Sequence, residues 1–128
     1  KAPKKVRPVR HGAHFWLTDL SGKVLLRRRP PSGLLGGMTE LPGTPWRENA
    51  WAVAEALRHA PMAADWQPAG QVRHGFTHFE LVLDLFAATV PTLKGEGFQH
   101  LITDLEHAAL PSVMRKCVRM VQSRIAHR

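Results

Sequence analysis

The sequence predicts an α+β fold in which a mixed β-sheet is flanked by helices. Apolar residues alternate with other residues over 79–88, an Ala- and Leu-rich run without Gly or Pro covers 49–60, and an amphipathic segment closes the chain. Strands, a helix, further strands and a second helix in this order favour a sheet between helical layers. With 128 residues, 44% of them hydrophobic, the chain can bury roughly two thirds of its unfolded surface in one core.

The first third of the chain predicts a hairpin and a loop. Residues 13–17 and 23–27 are short strand candidates, and residues 18–22 between them have the composition of a hairpin turn. Residues 30–37 are rich in Pro and Gly and predict a loop. Residues 40–43 predict the end of a short strand followed by a turn.

The middle of the chain predicts the first helix and the longest strand. The helix over 49–60 should end at Pro61, because proline cannot donate a helical hydrogen bond. Residues 79–88 alternate between a fully apolar face and a mixed face, which predicts a long and mostly buried strand. Residues 71–75 should be its antiparallel neighbour or its bulged lead-in, since Gly75 interrupts the pattern.

The end of the chain predicts a short strand and an amphipathic helix. Residues 98–102 can pair as a final strand, and the helix should begin near Ser112. Four apolar positions of this helix share one side, whereas basic residues project elsewhere. The apolar stripe consists of Met114, Val118, Val121 and Ile125.

The net charge of +8 predicts attraction to polyanions, through electrostatic steering and counterion release. The positive residues are also clustered along the chain. Each cluster taken alone is more simply a solvated face or tail. The clusters are Lys1, Lys4, Lys5, Arg7 and Arg10; Arg27, Arg28 and Arg29; and Arg115, Lys116, Arg119, Arg124 and Arg128.

The single cysteine, Cys117, excludes an internal disulfide, a cysteine-ligated zinc site and an iron–sulfur cluster in this chain. Its place beside the apolar stripe favours inert packing, and its isolation favours a reducing compartment, the cytoplasm. No apolar run predicts a signal peptide or a membrane span, so no membrane contact is expected. The basic, Pro-containing residues 1–10 are typical of an interdomain linker, which predicts a domain of a longer parent over 11–128.

Residues 36–43, GGMTELPG, could be only a tight turn, but with their neighbours they resemble the Nudix family. In Nudix hydrolases this stretch leads into a helix whose glutamates bind Mg²⁺, a hard ion that needs several converging oxygen ligands. Here, counting from Gly43 places Asn49 at the first glutamate position, and Glu55 is the only acid inside the predicted helix. One carboxylate cannot build that site, so we expect a Nudix-like α/β/α sandwich with no catalytic residues, metal or cofactor.

A narrower resemblance covers nearly the whole chain. The stretches 30–43, 73–86 and 109–116 together resemble the C-terminal domain of the MutY family of adenine DNA glycosylases. The resemblance implies a domain that helps to recognise 8-oxoguanine in double-stranded DNA where adenine is mispaired with it. It also implies an absent N-terminal helical domain as its partner, which carries the glycosylase chemistry and an iron–sulfur cluster.

The same resemblance points to a loop. The family pattern is Phe-Ser-His, and here it is Phe76, Thr77 and His78, preceded by Arg73 and His74, which we include among the DNA-binding candidates. Oxidation converts guanine N7 into a donor, so recognition requires an acceptor in the groove, such as a hydroxyl or a carbonyl. By resemblance, Thr77 supplies the hydroxyl, His78 a hydrogen bond or phosphate contact, and Phe76 an apolar wedge or loop anchor.

Other interpretations stay open from the residues alone. Phe76 can be a core residue, Thr77 a strand residue and His78 a surface histidine. His74 and His78 are four residues apart, but this segment predicts strand and loop, where that spacing does not align two metal ligands. Two other functions remain alternatives: a divergent Nudix hydrolase of oxidised nucleoside triphosphates, and a protein-interaction domain on a Nudix scaffold.

Overall fold

The computed structural model describes residues 7–127. Most of the linker predicted over residues 1–10 lies outside this range, and Val9 and Arg10 already belong to the first strand. The elements in chain order are β1 Val9–Asp19, β2 Lys23–Arg28, β3 Thr39–Glu40, α1 Val53–Leu57, β4 Gln67–Gly75, β5 Glu80–Val90, β6 Phe98–Leu101, a 3₁₀ turn Ile102–His107, and α2 Ser112–Ala126.

The strands form one mixed sheet in the order β3-β2-β1-β5-β4, with β6 paired to β2. The central strands β1 and β5 run parallel, whereas the β1–β2 and β4–β5 pairs are antiparallel. A bulge between Pro68 and Gln71 interrupts the β4–β5 pairing. The hairpin, the last short strand and the bulged antiparallel neighbour predicted from the sequence are therefore confirmed.

Both faces of the sheet are covered, so the predicted sandwich is confirmed. The alternation in β5 sends Leu81, Leu83 and Leu85 into a core shared with the buried side of α2. On the opposite face, Phe86 packs with Phe15 of β1 and with residues of the α1 segment. Within the described residues, no helix is long and apolar enough to cross a membrane.

The helix predicted over 49–60 is wrong in its length, because only Val53–Leu57 is helical. The Arg47 guanidinium takes the carbonyl oxygens of Asn49 and Ala50 that a helix from 49 would use for its own hydrogen bonds. The indole N–H of Trp51 donates to the His11 carbonyl at 3.1 Å. The local Arg47 contacts and the distant Trp51–His11 contact therefore hold 49–52 out of the helix against its intrinsic propensity.

Smaller differences concern the ends of elements. The first strand extends beyond 13–17 in both directions, and β6 ends at Leu101 before the 3₁₀ turn. In α2, Met114, Val118 and Val121 are buried as predicted, but Ile125 is 42% exposed because it lies near the helix end. Cys117 is fully buried in this helix, and burial raises the pKa of its thiol to about 12, as expected of a packing residue.

Candidate nucleic-acid interface

The five predicted site residues lie together at one end of the β4–β5 hairpin. Gly75 and Glu80 are the last paired residues, and the Phe76 amide donates to the Phe79 carbonyl at 2.8 Å beyond them. Thr77 and His78 are left at the apex, and both are exposed. We call these two residues the hairpin tip. Antiparallel pairing directly below the tip fixes its place relative to the sheet.

Phe76 does not project into solvent but supports the tip from below. It is partly buried and lies stacked on Phe79, with the ring centroids 4.9 Å apart and the planes at 26°. The imidazole of His74 meets it edge-on at 4.8 Å. Trp46 completes the group at 6.4 Å from Phe76. Of the two roles implied by the resemblance, this geometry is that of a loop anchor rather than a free wedge.

Trp46 is held in place by a buried histidine. Its indole N–H donates to Nε2 of His14 at 3.1 Å, so Nε2 carries no proton. The remaining ring proton therefore lies on Nδ1, which donates to the Leu41 carbonyl at 2.8 Å. Burial lowers the pKa of His14, which agrees with a neutral ring. A Cβ at Gly12 would lie 2.5 Å from the indole, so the tryptophan needs a glycine beneath it.

Three arginines surround the aromatic group. The Arg10 guanidinium lies 4.7 Å from the centroid of Phe79, and that of Arg29 lies 4.3 Å from a Trp46 ring centroid. Nη1 of Arg7 donates to the Phe76 carbonyl at 2.6 Å. Cations over aromatic rings beside an exposed turn form the kind of surface that contacts phosphates and bases.

The two residues of β4 among the candidates have different partners. Nζ of Lys116 lies 3.0 Å from Nδ1 of His74, and partial burial followed by the lysine charge lowers the pKa of this histidine. His74 is therefore neutral near neutral pH and accepts a hydrogen bond from the ammonium group. Arg73 is mostly exposed and makes an ion pair of 3.3 Å with Glu80. His74 thus joins α2 to the aromatic group, while Arg73 lies at the free edge of the sheet.

The hairpin tip presents the Thr77 hydroxyl and the His78 ring to solvent. Within residues 7–127, neither the Thr77 hydroxyl nor the His78 ring makes a hydrogen bond or an ion pair. A hydroxyl can both donate and accept, and an imidazole can present a donor and an acceptor. The tip therefore presents acceptors to a ligand without first breaking an internal contact.

The region that would be catalytic in a Nudix hydrolase has a different arrangement. Glu55 pairs with Arg47 at 2.9 Å and also accepts from the Ala52 amide, and the Arg47 hydrogen bond, followed by that of the amide, lowers the pKa of its carboxyl. Glu40 is buried between Arg27 and Arg29 at 2.8 and 2.9 Å. Within the described range, no three His, Cys, Asp or Glu residues lie close enough to hold a metal ion. These residues do not fit the magnesium ion of the family's hydrolases.

Sequence reasoning did not find the residues that support the tip. These are Arg7, Arg10, Arg29, Trp46 and Phe79. Arg10 reaches Phe79 because β1 runs parallel to β5, a pairing that periodicity does not reveal. The available signals were the basic residues 1–10, which we interpreted as a linker, and the run of Arg27, Arg28 and Arg29, which we interpreted as a solvated face or tail.

Comparison with known proteins agrees with this fold. The profile of the NUDIX domain matches residues 13–120, so the chain belongs to the NUDIX domain family. A human adenine DNA glycosylase is 29% identical over 116 residues, covering 80% of this chain and 21% of the human protein. The chain thus spans about a fifth of the length of that relative, and the predicted similarity to adenine DNA glycosylases is confirmed.

Solved structures share the fold. The C-terminal domain of mouse MUTYH, determined in complex with human PCNA, superposes with a TM-score of 0.69 at 20% identity, covering 91% of this chain and 90% of that one. A MutT protein from Methanosarcina mazei superposes with a TM-score of 0.72 at 18% identity, covering 97% and 98%. The fold is therefore shared by glycosylase domains and MutT proteins alike, and function has to be argued from the site.

Proposed function

We propose that this chain is the lesion-recognition domain of an adenine DNA glycosylase that removes adenine mispaired with 8-oxoguanine. The observation that carries the proposal is the hairpin tip, where Thr77 and His78 are exposed on a stacked aromatic base. The chain would grip duplex DNA and distinguish oxidised from normal guanine. It would have no catalytic residue, metal or cofactor of its own.

The lesion chemistry supports this role for the tip. In 8-oxoguanine N7 bears a hydrogen, so an acceptor that suits it would repel the bare N7 of guanine. The Thr77 hydroxyl has a free acceptor lone pair and stands at the apex of a turn held by the Phe76 and Phe79 stack. A rigid support matters because discrimination of this kind depends on placing the acceptor within hydrogen-bond distance.

The cations around the tip would supply affinity rather than discrimination. Arg10 and Arg73 are exposed near the tip, and His78 can contact phosphate. Contacts with phosphate hold a protein on the duplex but carry no information about the base. Binding should therefore weaken steeply with salt on damaged and undamaged DNA alike.

The chemistry of adenine removal would belong to the rest of the parent protein. We propose a helical domain that precedes this chain, carries the iron–sulfur cluster and cleaves the glycosidic bond of a flipped adenine. Residues 1–10 would be the linker to it and 11–128 the recognition domain, with Val9 and Arg10 contributing to β1. The cytoplasm is the proposed compartment.

A divergent hydrolase of oxidised nucleoside triphosphates is the second candidate, because a MutT protein has the same fold. Against it, Glu55 and Glu40 are both engaged by arginines. Incubation with magnesium and an oxidised guanosine triphosphate should release no pyrophosphate. Turnover abolished by Glu55→Gln would establish the hydrolase and reject our proposal.

The decisive experiment compares two variants of one residue on two duplexes. Thr77→Ala removes the hydroxyl, whereas Thr77→Ser keeps it and loses only the methyl group. We expect Thr77→Ala to lower the preference for the oxoguanine duplex over the guanine duplex by roughly 10-fold, the value of one good groove contact, and Thr77→Ser to retain it. Fluorescence anisotropy titrations give both affinities. An equal loss on both duplexes would show that Thr77 does not read the lesion.

A further inference from the structure

A groove lies beside the candidate interface, between the edge strand β4 and helix α2. Its volume is about 450 Å³, and among residues 7–127 no strand pairs with the outer edge of β4, so the groove opens to solvent there. Val72 and Met120 provide an apolar floor, and polar and charged side chains form the rim. The rim residues are Gln71, Lys116, Arg119 and Ser123.

The positive charges of α2 follow this groove. Lys116 and Arg119 line the groove. Arg124 lies further along the same helix, and a Cβ on Gly70 of β4 would lie 3.5 Å from its Nε. At a rise of 1.5 Å per residue, the row of three cations is about 12 Å long. Within residues 7–127, none of the three makes an ion pair with a carboxylate. Their charge is available to a ligand.

The groove is continuous with the hairpin tip. Lys116 is 3.0 Å from the ring of His74, and this ring contacts Phe76 at 4.8 Å between centroids. These contacts join the groove to the aromatic group at the base of the hairpin tip.

We propose that this groove binds consecutive phosphates of one DNA strand to one side of the lesion. This inference rests on the proposed function and deepens it by assigning a second, sequence-independent contact. Consecutive phosphates of one strand are displaced around the duplex axis as well as along it, so they lie further apart than the axial rise of about 3.4 Å, and a row of about 12 Å faces about two or three of them. The stems of the lysine and arginines, with Met120, give the sugar edges an apolar surface.

An acidic protein segment is the other ligand that a basic groove with an apolar floor would fit. The continuity with the hairpin tip favours DNA, because one ligand then occupies both surfaces. The test below includes a polyglutamate peptide as a competitor to separate the two.

The experiment uses the 128-residue chain and a duplex without damage. Lys116→Ala/Arg119→Ala removes two groove charges, and Arg58→Ala/Lys94→Ala removes two exposed charges from the α1 side and the β5–β6 loop. For the groove variant we expect the slope of log affinity against log salt to fall by roughly 2, so that its deficit of about 10-fold at about 50 mM salt disappears near 200 mM. The control variant should keep the steeper slope.

Equal slopes of log affinity against log salt for the groove variant and the control variant would overturn the groove assignment. A groove variant that binds DNA normally but no longer binds polyglutamate would also overturn it. Arg119→Glu reverses one exposed charge and should reduce affinity further than Arg119→Ala, and urea denaturation of every variant checks that it is folded. The preference for oxoguanine over guanine is measured in parallel titrations with a duplex that contains oxoguanine. Absence of that preference would reject the proposed function, and the salt slopes would still test phosphate binding in the groove. A normal preference together with equal slopes would reject only the assignment of the groove to phosphate binding.

Discussion

Two regions of this domain use arginine in opposite ways. Around β3 and α1, Glu40 and Glu55 are each bound by arginine, so that the charges compensate one another inside the protein. Beside the hairpin tip and along α2, Arg10 and Arg119 are exposed, and neither makes an ion pair within the described residues. In the first region the carboxylates are paired with arginines of the same chain. In the second region the arginine charges remain available for an external anion. The two regions therefore differ in where their positive charges are compensated.

The largest effect on stability should come from the buried charge of the first region. Glu40→Gln leaves Arg27 and Arg29 without a countercharge around a side chain that is only 2% exposed. We expect the free energy of unfolding to fall by about 3 kcal/mol, measured by urea denaturation. Glu80→Gln, which removes the exposed partner of Arg73, is the control and should cost less than about 1 kcal/mol. Similar losses for both variants would erase the distinction between the two regions.

The next effect concerns the support of the tip. Gly12→Ala would place its Cβ 2.5 Å from the Trp46 ring and displace it, at a cost of about 2 kcal/mol of unfolding free energy. Combining it with Trp46→Leu should recover part of this loss, because the smaller side chain makes room for the methyl group. Additive losses in the double variant would mean that the clash is not with Trp46.

A smaller effect should appear with pH. Burial keeps the folded pKa of His14 below the unfolded value of 6.5, so the unfolded chain binds the proton first as the pH falls. The free energy of unfolding should therefore decrease as the pH falls below 6.5, the unfolded value. The contribution of this residue is on the order of 1 kcal/mol. His14→Gln should flatten the curve of unfolding free energy against pH. Parallel curves for the variant and the original chain would contradict a neutral buried His14.

The smallest effect on stability is expected at the tip itself. Thr77 and His78 are exposed and make no hydrogen bond within the part of the chain that the structure describes, so Thr77→Ala and His78→Ala should each change the unfolding free energy by less than about 0.5 kcal/mol. Phe76→Ala, one residue away, should cost about 2 kcal/mol because it removes the stacked support. Thermal or urea unfolding of the three variants measures this contrast. A large loss from Thr77→Ala would assign the tip to structure rather than recognition.

The elements that could be predicted are those whose signal is local. The alternation over 79–88 reports directly on a strand covered on both faces, and the stripe from Met114 to Val121 reports on a helix packed on one side. The helix over 49–60 could not be bounded correctly, since Trp51 is held by His11 of a strand far away in the chain. Local propensity carries no information about such a contact.

The same difference between local signals and distant contacts applies to the residues of the candidate site. Phe76, Thr77 and His78 were found by resemblance to a family motif, and the hairpin places them next to one another. Trp46 and Arg10 could not be found, because their positions depend on the packing over Gly12 and on the parallel pairing of β1 with β5. A sequence can reveal the residues that form a turn more readily than those that hold it rigid.

The parallel pairing of β1 with β5 has a mechanical consequence. It runs without interruption from Val9 opposite Glu80 to Asp19 opposite Val90, so the strand that enters the domain lies beside the strand that leaves the tip. A pull directed along β1 from its first residue would load the bonds between these strands in shear, all together, instead of peeling them one by one. Arg7, just before β1, donates to the Phe76 carbonyl, so the same load would also reach the base of the hairpin tip.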